Sequence, residues 1–316
     1  MQQANKAAVQ VVFVIPPKVH LLDITGPAHV FYEALSYGAP VTSWFCNIHT
    51  EETAIESSSQ LWLAHLTDFH TLQLHKGDII FVPGLDATLL LDDRFLTTTS
   101  KAFQRWMIDQ HHKGVIICSV CTGAFLLAQA GLLDDKECTT HWKYLERFTQ
   151  RYPQARLQQN RLFVQSDNIY TSAGVASGID LSLYLLEKLF GSHFATQIAK
   201  EVVVYIRRNP SDPQLSAFMQ HRNHMEERIH KAQDLLSQSL EKKWNIEQLA
   251  EQVHMSGRNL TRLFRKTTNI SISQYLDQLR AERAQQLIKE GHTMQATANQ
   301  CGLKSTNQLR QLLRKK

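Results

Sequence analysis

The sequence predicts an α/β domain built on a doubly wound, mostly parallel sheet, followed by an all-α domain. Three observations carry that prediction. Over roughly the first two thirds of the chain, short apolar runs alternate with helical patterns, the order that builds a parallel sheet covered on both faces. Over the last third the strand pattern stops and helical apolar stripes repeat. Charge divides the same way: residues 1–220 hold 17 Lys and Arg against 20 Asp and Glu, a net of −3, whereas residues 221–316 hold 17 against 9, a net of +8. The length of 316 residues suits two domains, and 43% apolar residues suit well-cored globular ones.

Val9 to Ile15 is a largely β-branched run, the mark of a strand buried on both faces, and Pro16 and Pro17 end it. Asp23 falls in a loop or first turn, and Val30 to Leu35 reads as helix. Tyr37 to Pro40 is a turn and Val41 to Ile48 a second strand. The stretch DIIFVPGLDA gives a third, stopped at Pro83-Gly84. Phe103 to His111 is an amphipathic helix. In GVIICSVCTGAFLLAQAGLL a strand from Val115 to Ser119 passes sharply into a helix from Thr122 to Ala130, with Gly131 as its stop. Residues 162–175 give two more short strands, and Ile179 to Phe190 another helix. A helix starting near Ser192 is broken by Arg207-Arg208-Asn209-Pro210-Ser211-Asp212-Pro213, which reads as a domain boundary. The expected division is a first domain over 1–205, a linker over 206–225 and a second domain over 226–316.

The turn Ser119-Val120-Cys121-Thr122-Gly123-Ala124 places a cysteine where a buried strand meets a helix, with small residues just after it. That is the layout of a nucleophile elbow. A helix N-terminus beneath Cys121 favours thiolate, and backbone N–H groups of the turn would face a developing oxyanion. Gly84 and Leu85, at the end of the preceding strand, are placed to add another donor. Asp23 also lies at the carboxyl edge of the sheet, where ligands bind in such folds. Plainer readings stand beside these. Cys121 can be structural, and Asp23 can simply cap a helix. Cys118 forms C-x-x-C with Cys121 but lies inside a buried strand, which argues against a redox pair. Trp62, Trp106, Trp142 and Trp244 read as packing residues.

The tail holds IEQLAEQVHMSGRNLTRLFRK, from Ile246 to Lys266. Leu249, Ala250 and Val253 share one helix face, Ser256 caps the next helix, and Leu260, Leu263 and Phe264 mark the buried side of that second helix. Arg258, Thr261, Arg262, Arg265 and Lys266 are left outside. Two short helices, a tight turn and a basic outer face describe a helix-turn-helix. The pattern returns: Ala250, Val253 and Met255 are echoed by Ala298, Cys301 and Leu303 at an offset of 48, and Leu260, Leu263, Phe264 and Arg265 by Leu309, Leu312, Leu313 and Arg314 at 49. The second copy thus has one extra residue in its turn region. Between the copies, Tyr275, Leu276, Leu279, Ala284, Leu287 and Ile288 stripe one long helix, and Gly291 suits its C-cap. A net of +8 on this segment is the footprint of a polyanion partner. A small helical bundle with a solvated charged face is the plainer alternative.

These motifs carry two resemblances. Residues 226–316 resemble the AraC/XylS DNA-binding domain. LLDITGP, FVPGLDA, CSVCTGAFLLAQAGLL, TTHW and TSAGVASGIDLSLYLLE resemble the ThiJ/PfpI branch of the class I glutamine amidotransferase-like, flavodoxin-like fold, over roughly residues 8–205. Together they make the chain similar to the GlxA family of transcriptional regulators, whose members commonly control catabolism of amino acids and quaternary amines. The resemblance puts Cys121 at the elbow position, His141 at the downstream histidine and Asp23 at the early acidic position. It implies a ligand set of Asp23, Gly84, Leu85, Cys121, Thr122, His141 and Gly174. Should the domain be catalytic, the candidates are Cys121, Asp23 and His141. It also implies groove-facing positions Arg258, Thr261 and Arg262 in the first reading helix, and Asn307, Arg310 and Gln311 in the second. Arg can pair bidentately with guanine, and Asn or Gln with adenine. Arg265, Lys266, Arg314, Lys315 and Lys316 are expected on phosphates.

There are departures. Thr122 stands where hydrolytic relatives often carry His, and Asp23 where peptidase-like branches often carry Glu, which weakens a peptidase reading. The Asp and Cys pair in D-x-x-G-P and C-T-G settings resembles isonitrile hydratase. Thr297 replaces an apolar anchor in the second copy, Leu313 replaces a Phe, and the last helix of the AraC pattern is expected to be missing. The five cysteines are odd in number and lack metal-ligand spacing, so no metal or cofactor is expected and a reducing compartment fits. The VVFVI run is too short to span a bilayer, so the expectation is a cytoplasmic protein with no membrane contact. The functional expectation is a sequence-specific regulator. It binds double-stranded DNA, answers a small amino-acid or amine effector, forms a homodimer and has RNA polymerase as a further partner. Two alternatives stand: a cysteine-dependent hydratase or amidase-like enzyme with a regulatory tail, and a tail that serves only protein contacts.

Overall fold

A computed structural model describes residues 8–48, 54–204, 208, 210, 212, 214–222 and 224–314. Lys315, Lys316 and, within the expected linker, Arg207, Asn209, Ser211 and Pro213 lie outside the described residues. The chain divides into two compact units between Gln214 and Leu215.

The first unit is built on a seven-stranded sheet. Its strands are β1 (Val9–Ile15), β2 (Val41–Asn47), β3 (Thr67–Asp68), β4 (Ile79–Val82), β5 (Ile116–Val120), β6 (Phe163–Ser166) and β7 (Ile169–Ser172), in the order β6-β7-β5-β4-β1-β2-β3. Every pairing is parallel except the β6–β7 hairpin. Central strand β4 reads as an unbroken apolar run because both its faces are covered. In β4, Ile79 and Phe81 join one core, and Ile80 and Val82 the other, as the two-residue period requires.

Helices α1 (Leu21–Ser36), α4 (Ala176–Phe190) and α5 (Ser192–Glu201) contribute to one core, and α2 (Lys101–His112) and α3 (Ala124–Gln129) to the other. Phe13, Phe31 and Phe81 stack or meet edge-on at the centre of the first core. Helix α1 begins well before Val30 and runs through Gly26 and Pro27. Close approach to α4 explains this. A methyl group on Gly26 would lie 2.9 Å from Ile179 Cγ1, and one on Gly178 would lie 3.1 Å from the Pro27 ring. Of the four tryptophans expected to be packing residues, two depart from that role. Trp106 is buried and Trp244 packs in the helical unit, but Trp62 is 68% and Trp142 44% exposed. Trp62 lies on a two-stranded hairpin outside the main sheet, where no second layer covers it.

Strands β1, β2 and β3 lie to one side and β4, β5, β7 and β6 to the other, so the order reverses between β1 and β4. The carboxyl ends of those two strands border a topological switch point, the place where open α/β sheets bind ligands.

The second unit is helical: α6 (Glu227–Gln238), α7 (Ile246–Gln252), α8 (Gly257–Thr268), α9 (Ile272–Lys289), α10 (Met294–Gln300) and α11 (Thr306–Arg314). Ser256 caps α8 and Ser271 forms a capping box on α9 with Gln274. Two small cores form, one per helix pair. Leu249, Ala250, Val253, Leu260 and Phe264 pack with Tyr275 and Leu279 from the first half of α9; Ala298, Cys301 and Leu309 pack with Ala284 and Leu287 from its second half. The repeated sequence thus folds as a repeated structure on one rod. No helix among the described residues is long and apolar enough to cross a membrane.

Candidate functional site

Three strand ends converge at the switch point. After β1 the chain turns into α1, whose first turn carries Asp23. After β4 come Gly84 and Leu85, and after β5 comes Cys121. Cys121 has φ 58°, the left-handed strain that an elbow imposes on its nucleophile position. Small residues are obligatory around it. A methyl group on Gly123 would lie 2.2 Å from the Val82 carbonyl oxygen, and one on Gly174 (φ +122°) would lie 3.0 Å from Cys121 Sγ.

Asp23 is fully buried. Its Oδ2 accepts the Gly84 N–H at 3.1 Å and its Oδ1 the Val175 N–H at 2.9 Å. The carboxyl group therefore ties α1 to the loops after β4 and β7. Val175 holds φ 43° to deliver its N–H. Thr122 Oγ1 accepts the Leu85 N–H at 2.8 Å and lies 3.2 Å from the Leu85 carbonyl, to which it donates. The N–H groups of Gly84 and Leu85, expected to add an oxyanion donor, are thus engaged by side chains, which satisfies donors that burial would otherwise strand.

The thiolate expectation is also corrected. Burial first, and the adjacent Asp23 carboxylate second, push the Cys121 thiol well above the usual thiol range. Burial raises the Asp23 pKa as well, against the pull of its two N–H donors and His20. The helix behind the elbow cannot reverse this. A single 3-10 turn, Cys121–Gly123, precedes an α3 of only 6 residues, and desolvation of the sulfur outweighs so short a dipole.

His141 lies on the segment after the two-residue strand Glu137–Cys138. Its Nδ1 accepts the Lys143 N–H at 3.3 Å and caps the next turn. Burial, Lys143 and His20 hold its pKa below the usual histidine value, which favours the neutral imidazole. The residue before it touches the elbow: Thr140 Oγ1 donates to the Cys121 carbonyl oxygen at 3.0 Å.

Sequence reasoning missed His20. Its ring lies with the Asp23 carboxylate and the Cys121 sulfur so that one ligand atom from each falls within 4.8 Å of the others, the only such trio found among the described residues. It bears on the charge of Asp23, Asp86 and His141 alike. Its position at the N-cap of α1, three residues before Asp23, was the available signal. The trio offers nitrogen, oxygen and sulfur donors. A cation there would compete with the two hydrogen bonds by which Asp23 anchors its loops.

The second candidate surface lies on the helical unit. Arg258, Thr261, Arg262, Arg265 and Lys266 are all exposed on α8, and its four basic residues have no ion-pair partner among the described residues. Asn307, Arg310 and Gln311 are exposed on α11, where Arg310 Nη1 donates to Asn307 Oδ1 at 3.3 Å. The turns correspond: His254 (φ 55°) and Gly302 (φ 67°), 48 residues apart, both take the left-handed conformation. The extra residue falls before Ser305, whose Oγ accepts the Gln308 N–H as Ser256 Oγ accepts that of Asn259. Arg228, which the sequence did not single out, lines a groove of about 340 Å³ together with Arg262 and Lys266. Thr297 is fully buried, and its Oγ1 has no hydrogen-bond partner among the described residues.

A mostly parallel sheet with a cysteine elbow at its switch point, joined to a duplicated helix-turn-helix unit, defines a two-part class of protein. Residues 9–188 match the DJ-1/PfpI family and residues 249–316 a helix-turn-helix domain. The chain belongs to the DJ-1/PfpI family. It is 33% identical over 199 residues to the HTH-type transcriptional regulator GbdR of Pseudomonas aeruginosa, a match covering 62% of this chain and 54% of GbdR. The chain therefore spans about half the length of that relative. It is 29% identical over 207 residues to the isonitrile hydratase of Pseudomonas putida, covering 65% of this chain and 82% of the hydratase. The crystal structure of an AraC family transcriptional regulator from Pseudomonas putida superposes with a TM-score of 0.52 at 22% identity, over 61% of this chain and 99% of that one. This last likeness concerns the fold.

Proposed function

We propose that the chain is a sequence-specific, DNA-binding transcriptional regulator whose first unit binds a small effector of the amino-acid or amine class near Cys121. The observation that carries this reading is the pair of helix-turn-helix units whose outer faces hold exposed basic residues. Arg258, Thr261 and Arg262 would read bases from α8, and Asn307, Arg310 and Gln311 from α11; Arg265 and Lys266 would hold phosphates. The effector would contact Cys121, Thr122, His141 and His20 over a floor made by Asp23, Gly84, Leu85 and Gly174. The reading places the protein in the cytoplasm, with RNA polymerase as a further partner. It also includes a homodimer: α1 leaves Leu22, Tyr32 and Leu35 exposed beside Phe45, a contiguous apolar face of the kind that marks an association surface.

Selection of bound DNA from a random pool tests the reading. The full chain and its Arg258→Ala/Arg262→Ala variant are compared in ~150 mM salt, where nonspecific binding is weak. A site enriched by the wild type and lost in the variant supports it. Equal, unselective binding by both overturns it. The second reading, a cysteine-dependent hydratase or amidase-like enzyme, draws on the likeness to isonitrile hydratase. The protonated thiol and the occupied Gly84 and Leu85 N–H groups weigh against it. Turnover of an isonitrile that vanishes in Cys121→Ser would revive it.

A further inference from the structure

The segment that leads into the helical unit is fastened to the elbow. Gln214 is the last residue of the first unit. Its Nε2 donates to Thr139 Oγ1 and to the Thr140 carbonyl oxygen, both at 3.0 Å, and to the Gln159 carbonyl oxygen at 3.4 Å. Thr140 in turn donates from Oγ1 to the Cys121 carbonyl oxygen. One residue, Thr140, therefore bonds the site cysteine with its side chain and the tether with its main chain. Upstream, Asp212 O and Pro210 O both accept from the Leu162 N–H, and Arg208 binds Asp180 through its backbone N–H, Nε and Nη2.

We infer that Gln214 is a latch through which the state of the Cys121 site sets whether the tether to the helical unit is docked or free. The inference rests on the proposed regulatory function and adds its route of control. Two features make the latch switchable. Cys121 holds left-handed backbone, so a ligand that presses on its side chain moves a peptide already under strain, and the Cys121 carbonyl carries that movement to Thr140. The docked state is also imperfect. Gln214 Oε1 is buried with no hydrogen-bond partner among the described residues, and water satisfies it once the segment lifts. The docked and free states thus exchange one set of hydrogen bonds for another, the kind of balanced element that a ligand can bias.

Hydrogen exchange on the full chain tests this, with Gln214→Met (no donor, similar length) and Thr140→Val (no hydroxyl, similar shape). In both variants, exchange at the Leu162 and Arg208 amides, which bond to and from this segment, should rise at least tenfold, with β4 and β5 unchanged. Thr140→Val is the decisive arm, because it leaves the Gln214 contact to the Thr140 carbonyl intact. If Gln214→Met frees the tether while Thr140→Val leaves it at the wild-type rate, the elbow does not control the latch and the inference fails. Loss of protection in β4 and β5 as well would mark simple unfolding, in which case Thr140→Ser, which keeps the hydroxyl, must restore wild-type exchange or the inference fails. DNA affinity of the same proteins is read in parallel and should shift at least threefold in one direction in both variants. A wild type that binds no DNA defeats the regulatory reading without touching the exchange result, so the two failures are separable.

Discussion

Gly84 donates its N–H to Asp23 Oδ2 at 3.1 Å, and a methyl group on its α-carbon would fall 2.3 Å from that same oxygen. The same methyl would lie 2.9 Å from Cys121 Cβ. Neither neighbour is free to move, since Asp23 is also held by Val175 and Cys121 by the elbow. Gly84→Ala should therefore destabilise the first unit by about 3 kcal/mol, as overpacking of a rigid site does. Urea unfolding followed by tryptophan fluorescence measures it. A loss under about 1 kcal/mol would mean that the site relaxes far more than its bonds suggest.

The raised pKa of Asp23 gives stability a pH dependence of defined sign. The folded chain binds this proton more tightly than the unfolded one, so the contribution is fully present below the ordinary aspartate pKa of 3.8 and is lost as pH rises through the folded value. Asp180 is raised in the same direction by burial, so the wild type alone cannot separate the two. Asp23→Asn should flatten part of the decline. An unchanged slope in the variant would remove Asp23 from the account.

Thiol labelling reads the Cys121 shift directly. At pH 7.5 iodoacetamide should modify Cys121 at least tenfold more slowly than a free thiol in solution, because the thiolate is scarce and the sulfur buried. Asp23→Ala should speed the reaction by removing the neighbouring negative charge. Rapid labelling of the wild type would restore a thiolate elbow and, with it, the catalytic alternative.

On the regulatory reading, Arg262→Ala should weaken binding to a selected site by about 1–3 kcal/mol and relax preference at one position. Arg310→Ala should cost less, since its guanidinium already leans on Asn307. Competition binding against scrambled DNA separates specific from nonspecific loss. Equal losses in the two variants would show that both heads read with the same strength.

Thr297 predicts a gain. Its hydroxyl is buried without a partner among the described residues in α10, and an unsatisfied buried hydroxyl costs about 1–3 kcal/mol. Thr297→Val should raise protection of the α10 and α11 amides to hydrogen exchange. A loss of protection would reveal a water or a partner bound to that hydroxyl.

Local patterns made the helical unit legible. The 48- and 49-residue offsets fold as two capped helix pairs, and even the extra residue falls where the count placed it, ahead of Ser305. The elbow was legible for the same reason, since its strand, cysteine and glycine are adjacent in sequence. The engagement of its donors was not. Asp23 meets Gly84 and Val175 across 61 and 152 residues, and no spacing rule connects them. The motif TTHW drew attention to His141, while Thr140 beside it makes the bond to the elbow. The thiolate expectation failed because a helix start is visible in sequence and desolvation is not.

The rod α9 has a consequence for how such a chain can vary over time. Its 18 residues span about 27 Å, and each added residue would turn everything beyond it by about 100°. Its exposed positions, such as Ser273, tolerate substitution because they touch neither small core, whereas Gln278, Arg280 and Glu282 still bond to neighbouring segments. Its length cannot change, because a one-residue insertion would swing α10 and α11 onto a different side while leaving each pair internally sound. Substitution and insertion are therefore judged by different criteria in this segment: the first by packing, the second by angle.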